Sequence, residues 1–241
     1  MYVQIHKTSY MTDFNRTPEA QEVFKTKSKP KGPIKFKIQL NEEQKETKEL
    51  ILNTPITLVK GMAGSGKTLL ACQIALDLVF RREMDKLIIT RPTISKEDIG
   101  FLPGGISEKM DPWLAPIYAN LHLLYDKVKI DKMVADGIIE IVPFAFMRGR
   151  TFPNSFIIVD ECQNMTLDQT EMMMGRLGKG GKMVFCGDSA QIDLKSKKSS
   201  GISFFTILEA RTNNVKIKAL KKNHRHEALE EILNIFEEYR D

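Results

Sequence analysis

The chain lacks any run of about 18 apolar residues, which leaves nothing in the sequence that would span a bilayer as a helix. Its first residues show no basic-then-apolar leader pattern, so the cytoplasm is the expected compartment. Cysteine is scarce: Cys72, Cys162 and Cys186 are far apart, with no C-x-x-C and no metal-ligand spacing. A disulfide framework and a cysteine-held metal are thereby excluded, and each thiol, set in an apolar segment, is expected to be a small buried hydrophobe. Histidine is as sparse, and His224 and His226 stand two apart without further ligands. The single tryptophan, Trp113, is flanked by Pro112 and Pro116; core or subunit-interface packing is favoured for it over base stacking.

What is present is the composition of a globular protein of 241 residues, 42% hydrophobic and 28% charged. The net charge of +5 is concentrated at one end. Residues 1–37 hold eight Lys and Arg (Lys7, Arg16, Lys25, Lys27, Lys29, Lys31, Lys35 and Lys37) against Asp13, Glu19 and Glu22. That arm accounts for the whole excess, and it suits either a polyanionic partner or mere solubility. We divide the chain into this basic N-terminal arm, residues 1–37, and one domain, residues 38–241. Lys27-Ser28-Lys29-Pro30-Lys31-Gly32-Pro33 marks the linker.

The centre of the domain is Gly61-Met62-Ala63-Gly64-Ser65-Gly66-Lys67-Thr68, which fits G-x-x-x-x-G-K-[ST]. Glycines let successive backbone N–H groups turn inward on a phosphate, Lys67 reaches the β and γ oxygens, and the Thr68 hydroxyl holds Mg²⁺. The spacing predicts a buried strand over 55–60 before the loop and a helix opening at Leu69 after it, which completes the nucleotide cradle. Asn41 is a helix cap with Gln44 at its third position, and that glutamine is either the capping-box partner or the reader of an adenine edge.

Further strands are predicted over 86–90, 138–142, 155–161, 182–186 and 215–220, with helices over about 107–128, 167–177, 202–210 and 227–239. An apolar run ending in Asp160-Glu161 supplies the second half of a nucleotide-hydrolysing site. Asp160 would bind Mg²⁺ opposite Thr68, and Glu161 would align or deprotonate the attacking water. Gln191, off the end of the fifth strand, is placed to sense the γ-phosphate. Arg91, at the end of the second, belongs on the functional rim beyond the carboxyl ends of the strands. Lys195, Lys197 and Lys198 crowd a Ser-rich loop that suits phosphate-backbone contacts or is a solvated loop. Arg148 and Arg150 flank Gly149 on another loop, and Arg225 follows the last strand.

Taken in order, these motifs resemble the PhoH-like proteins, P-loop ATPases related to superfamily 1 helicases and first noted for phosphate-starvation induction. The resemblance runs from about Gln44 to the last helix. It rests on Gly64-Ser65-Gly66-Lys67-Thr68, Arg91-Pro92, Gly100-Phe101-Leu102-Pro103-Gly104 and Met147-Arg148-Gly149-Arg150-Thr151. Asp160-Glu161-Cys162-Gln163-Asn164, Gly187-Asp188 with Gln191-Ile192-Asp193, and Arg225-His226 complete it. Cys162 replaces the family's usual alanine, and Lys222-Asn223-His224 departs from the usual acidic-apolar lead into Arg-His. The basic arm stands where many cellular relatives carry a PIN nuclease or KH-like domain, which looks like the forms carried by bacteriophages.

The resemblance implies a RecA-like P-loop NTPase, an α/β fold with a mainly parallel sheet between helices. ATP and Mg²⁺ are the expected ligands, held by Gln44, Gly61, Met62, Ala63, Gly64, Ser65, Gly66, Lys67, Thr68 and Leu69, with Asp160 on the metal. Lys67, Glu161 and Gln191 are the expected catalytic residues, together with an arginine finger chosen among Arg148, Arg150 and Arg225. One RecA-like unit cannot sandwich ATP alone, so a homo-oligomer, a ring and by resemblance a hexamer, is expected. RNA or single-stranded DNA is the expected partner, through Arg91 and the three lysines. A nucleotide-dependent switch or scaffold is the alternative, and a small-molecule kinase or a nuclease fits less well.

Overall fold

The computed structural model describes residues 34–92, 106–194 and 196–222, together with Ile232 and Ile235; of the side chains at 106–114 nothing is said. Lys195, Arg225, the 100–105 loop, most of the predicted last helix, the Trp113 side chain and most of the basic arm lie outside the described residues.

Six strands form one parallel sheet: β1 (Ile56–Lys60), β2 (Lys86–Thr90), β3 (Ile139–Ile141), β4 (Ser155–Val159), β5 (Lys182–Gly187) and β6 (Val215–Ala219). Their order is β3-β2-β4-β5-β1-β6. A parallel sheet covered on both faces reads as continuous apolar runs, and β4, buried at all five positions, is the extreme case. Every strand points the same way, so all the carboxyl ends share one rim. The loop-bearing strand β1 and the Asp-Glu strand β4 are separated only by β5.

Helices cover both faces. On one side lie α1 (Glu42–Asn53), α2 (Lys67–Phe80), α3 (Ile106–Leu124) and α4 (Lys127–Ala135). Leu70, Ile74, Ile117, Leu121 and Ile130 pack there against Val59, Ile89 and Ile158. On the other, α5 (Leu167–Met174), α6 (Phe204–Arg211) and short 3₁₀ turns bring Met173, Phe205, Met147 and Ile202 against Leu58, Ile157 and Phe185. Each of these Leu, Ile and Phe side chains contributes roughly 1.5–3 kcal/mol relative to exposure. All three cysteines are buried and unpaired by disulfide, and burial pushes the Cys72 and Cys162 thiols well above their ordinary value.

Helix starts follow side-chain caps. Asn41 accepts from the Gln44 N–H at 2.8 Å while Gln44 Oε1 accepts from the Asn41 N–H at 3.1 Å, a reciprocal capping box. Thr166 and Gln169 repeat the device at α5. The helix expected over about 107–128 is in fact two. Asp126, in extended conformation, accepts from the Lys129 N–H at 3.0 Å and starts α4 afresh.

The boundary at residue 38 also shifts. Phe36 packs with Phe80 and Tyr125, ring centroids 6.5 and 6.1 Å away, and the Lys37 N–H donates to the Leu124 carbonyl at 3.2 Å. The last residues assigned to the arm are therefore part of the domain's packing.

A Gly-rich loop between the first strand and its helix, in a parallel sheet layered between helices, is the RecA-like P-loop NTPase fold. No described helix is long and apolar enough to cross a membrane.

Candidate nucleotide site

The loop from Gly61 to Gly66 joins β1 to α2. Gly64 and Gly66 stand at φ 86° and 80°, left-handed values that a side chain would strain, which is why the chain can turn so tightly there. Gly66 is the N-cap of α2 and supplies no side-chain cap, so the first turn keeps its N–H groups and the positive end of its dipole for an anion. Lys67 Nζ lies over the loop, donating to the carbonyls of Gly61 at 2.5 Å and Met62 at 2.9 Å. Ser65 Oγ is buried and has no hydrogen-bond partner among the described residues, an orphan of the kind a ligand satisfies.

One residue on, the Thr68 hydroxyl donates to Asp160 Oδ1 at 2.6 Å, joining α2 to the exit of β4 across 92 residues of sequence. Asp160 is 7% exposed. Burial pushes its carboxyl above the ordinary value, aided by the Glu161 charge and opposed by the Thr68 hydrogen bond and the Arg91 charge. A hydroxyl and a buried carboxylate, both hard oxygen donors, fit a hard divalent cation, and the Ser65 hydroxyl of the loop fits a phosphate.

Glu161 follows in left-handed backbone, φ 52° and ψ 39°. Its Oε2 accepts from Gln163 Nε2 at 2.6 Å, and its Oε1 faces the Arg91 guanidinium at 3.7 Å. Beyond β5, Gln191 Nε2 donates to Asp188 Oδ2 at 2.7 Å, which fixes an exposed side chain on the same rim.

A family model described as PhoH-like protein matches residues 37–237. The chain belongs to the PhoH-like protein family. Relatives include the PhoH-like protein of Synechocystis sp., 42% identical over 160 residues, 66% of this chain and 49% of that one. The PhoH-like protein of Bacillus subtilis is 44% identical over 144 residues, 59% of this chain and 45% of its own. The chain spans about half the length of the curated relatives it matches. Among solved structures it is similar to the Pif1 helicase from Candida albicans, at 19% identity and TM-score 0.45, over 85% of this chain and 44% of that one. The fold assignment rests on the strand order and the loop, not on that likeness.

Other residues singled out in this PhoH-like sequence fall into distinct settings. Gln44 is 8% exposed with its Oε1 engaged in the helix cap. Arg91 is ion-paired to Glu161, a contact that no local pattern announces. Arg150 is anchored in its own chain: it meets Glu140 at 2.6 Å, lies 4.6 Å over the Phe152 ring, and its carbonyl accepts from Arg176 at 3.1 Å. Lys86 holds the other oxygen of Glu140 at 2.6 Å. Arg148, by contrast, is exposed on the same loop and has no hydrogen-bond or ion-pair partner among the described residues. Lys197 and Lys198 are exposed on a 3₁₀ turn, Lys197–Ser199. Gln163, quoted in the sequence only as part of the Asp160–Asn164 motif and given no role there, hydrogen-bonds Glu161, Asp188 and Gln191.

Proposed function

We propose that this PhoH-like chain binds ATP with Mg²⁺, hydrolyses it, and uses the cycle as an oligomeric motor or remodeller on RNA or single-stranded DNA. The observation that carries this is the 2.6 Å contact between Thr68 and Asp160, which sets the end of the phosphate loop against the Asp-Glu pair. Mg²⁺ would be held by Thr68 and Asp160 and would supply positive charge that offsets the charge of the phosphates. Lys67, swung from the Gly61 and Met62 carbonyls, neutralises the same oxygens, and the loop N–H groups hold the β-phosphate. Glu161 takes the proton of a water directed at the γ-phosphorus while the bond to the β-γ bridging oxygen breaks. Gln191 lies on the same rim and reads whether the γ-phosphate is present.

The described domain offers one wall for a nucleotide. A neighbouring copy in a closed ring, hexameric by resemblance, supplies the second, and Arg148 is the arginine we assign to reach across. Arg150 is committed to Glu140, and Arg225 remains a candidate on sequence alone. Lys197 and Lys198, with Arg91 and Lys195, form the proposed polynucleotide contact. Phosphate release measured with and without single-stranded RNA and DNA tests the reading. Stimulation supports a motor; tight ATP binding without stimulation turns the assignment to a switch or scaffold.

A further inference from the structure

Gln163 is 1% exposed, and every polar group of its side chain is engaged. Its Nε2 donates to Glu161 Oε2 at 2.6 Å and to the Gln191 carbonyl at 3.1 Å. Its Oε1 accepts from the Asp188 N–H at 3.1 Å, and its own carbonyl accepts from the Ser200 hydroxyl at 2.6 Å. The orientation of the amide is forced by its neighbours. A carboxylate and a carbonyl only accept, so the NH₂ must face them, and a backbone N–H only donates, so the oxygen must face it.

One buried amide thus ties the exit of β4 to the exit of β5. Asn164 doubles the tie, its Oδ1 accepting from the Asp193 N–H at 2.8 Å. Glu161 itself sits in left-handed backbone, a conformation that persists only where surrounding contacts hold it. Gln163 takes one of its carboxylate oxygens and leaves Oε1, on the Arg91 side, as the oxygen that a water can address.

We propose that Gln163 is the positioning residue for Glu161, fixing the carboxylate that meets the attacking water and locking it to the segment that carries Asp188 and Gln191. This rests on the hydrolytic reading of Glu161. Gln163→Glu keeps the side chain's length and an acceptor for the Asp188 N–H, but sets carboxylate against carboxylate. The expected result is a kcat lowered about 10- to 100-fold, the worth of a hydrogen bond to a charged group, with the affinity for a fluorescent ATP analogue unchanged. Gln163→Met, which has no donor, should do the same. In a Glu161→Gln background, followed by single-turnover release of radiolabelled phosphate, Gln163→Glu should cause no further loss, because its effect passes through Glu161.

An equal fold-loss in both backgrounds, an unchanged kcat, or a loss of nucleotide affinity parallel to the loss of turnover would each overturn the positioning role. Absence of turnover in the unsubstituted chain would instead remove the hydrolytic reading, and this proposal with it.

Discussion

Replacing Glu161 by Gln isolates the chemical step from everything else the site does. The substitution changes no heavy-atom count, and a glutamine oxygen can still accept the 2.6 Å hydrogen bond from Gln163. What disappears is the pairing with Arg91 at 3.7 Å, between side chains 27% and 35% exposed. Half-exposed pairs of that kind contribute about 0–1 kcal/mol. For a domain of this size the melting temperature should therefore move by no more than about 2–4 °C. ATP affinity should hold, since the contacts that grip phosphate come from the loop and Lys67. Turnover, deprived of its general base, should fall by about 10²–10⁴-fold. Three assays on one preparation decide it: a thermal melt, titration with a fluorescent ATP analogue, and steady-state phosphate release. Turnover falling less than about tenfold, or affinity falling in step with turnover, would refute the role given to Glu161.

Other outcomes follow from the same geometry. Lys67→Ala should weaken nucleotide binding and lower turnover by about 10²–10³-fold, read by the same titration and release assays. Replacing Lys197 and Lys198 together by Ala should flatten the dependence of log affinity for single-stranded RNA or DNA on log salt by about 0.7 for each phosphate no longer neutralised; an unchanged slope places the polynucleotide elsewhere. Asp77 gives a pH signature. Burial opposes its ionisation, but hydrogen bonds and charge from Lys48 and Arg81, at 2.8 and 2.7 Å, outweigh it and hold the carboxyl below its ordinary value. That stabilisation is full above the unfolded-state pKa of about 3.9 and is lost as pH falls through the lower folded-state value, so urea melts of Asp77→Asn should show a flatter acid limb and a loss of roughly 1–3 kcal/mol near neutrality.

The inner strands were legible because they are sealed on both faces and so carry short β-branched or apolar runs, β4 being buried throughout, while the edge strands β3 and β6 are only partly covered. Lys86–Thr90 has its predicted limits, β3 is one residue shorter at each end, and the others differ by one or two residues at one end. The phosphate loop was legible because its backbone demands glycine at Gly64 and Gly66. Thr68 and Asp160, expected from the sequence to face each other across a metal ion, stand in direct hydrogen bond at 2.6 Å. Side-chain partnerships were not legible. Arg91 looked like a free rim cation, yet it faces Glu161 from the neighbouring strand; Arg150 looked like a reaching arginine, yet it is spent on Glu140 and Phe152. Gln163 lies 28 residues from Gln191 and 37 from Ser200, so only the sheet order, with β5 beside β4, brings its partners to it. Phe36 belonged by composition to a basic arm, but its ring had an aromatic pocket waiting between α2 and the end of α3.

The claim on which the account depends is that a triphosphate is held between Lys67 and Glu161 and cut there by water. Phosphate release from ATP by the purified chain with Mg²⁺, across a salt series and with or without single-stranded RNA or DNA, tests it most directly. The account predicts Mg²⁺-dependent turnover, raised by single strands at low salt and returning toward the basal rate as salt rises. A chain that binds no ATP and releases no phosphate under any of these conditions would contradict it.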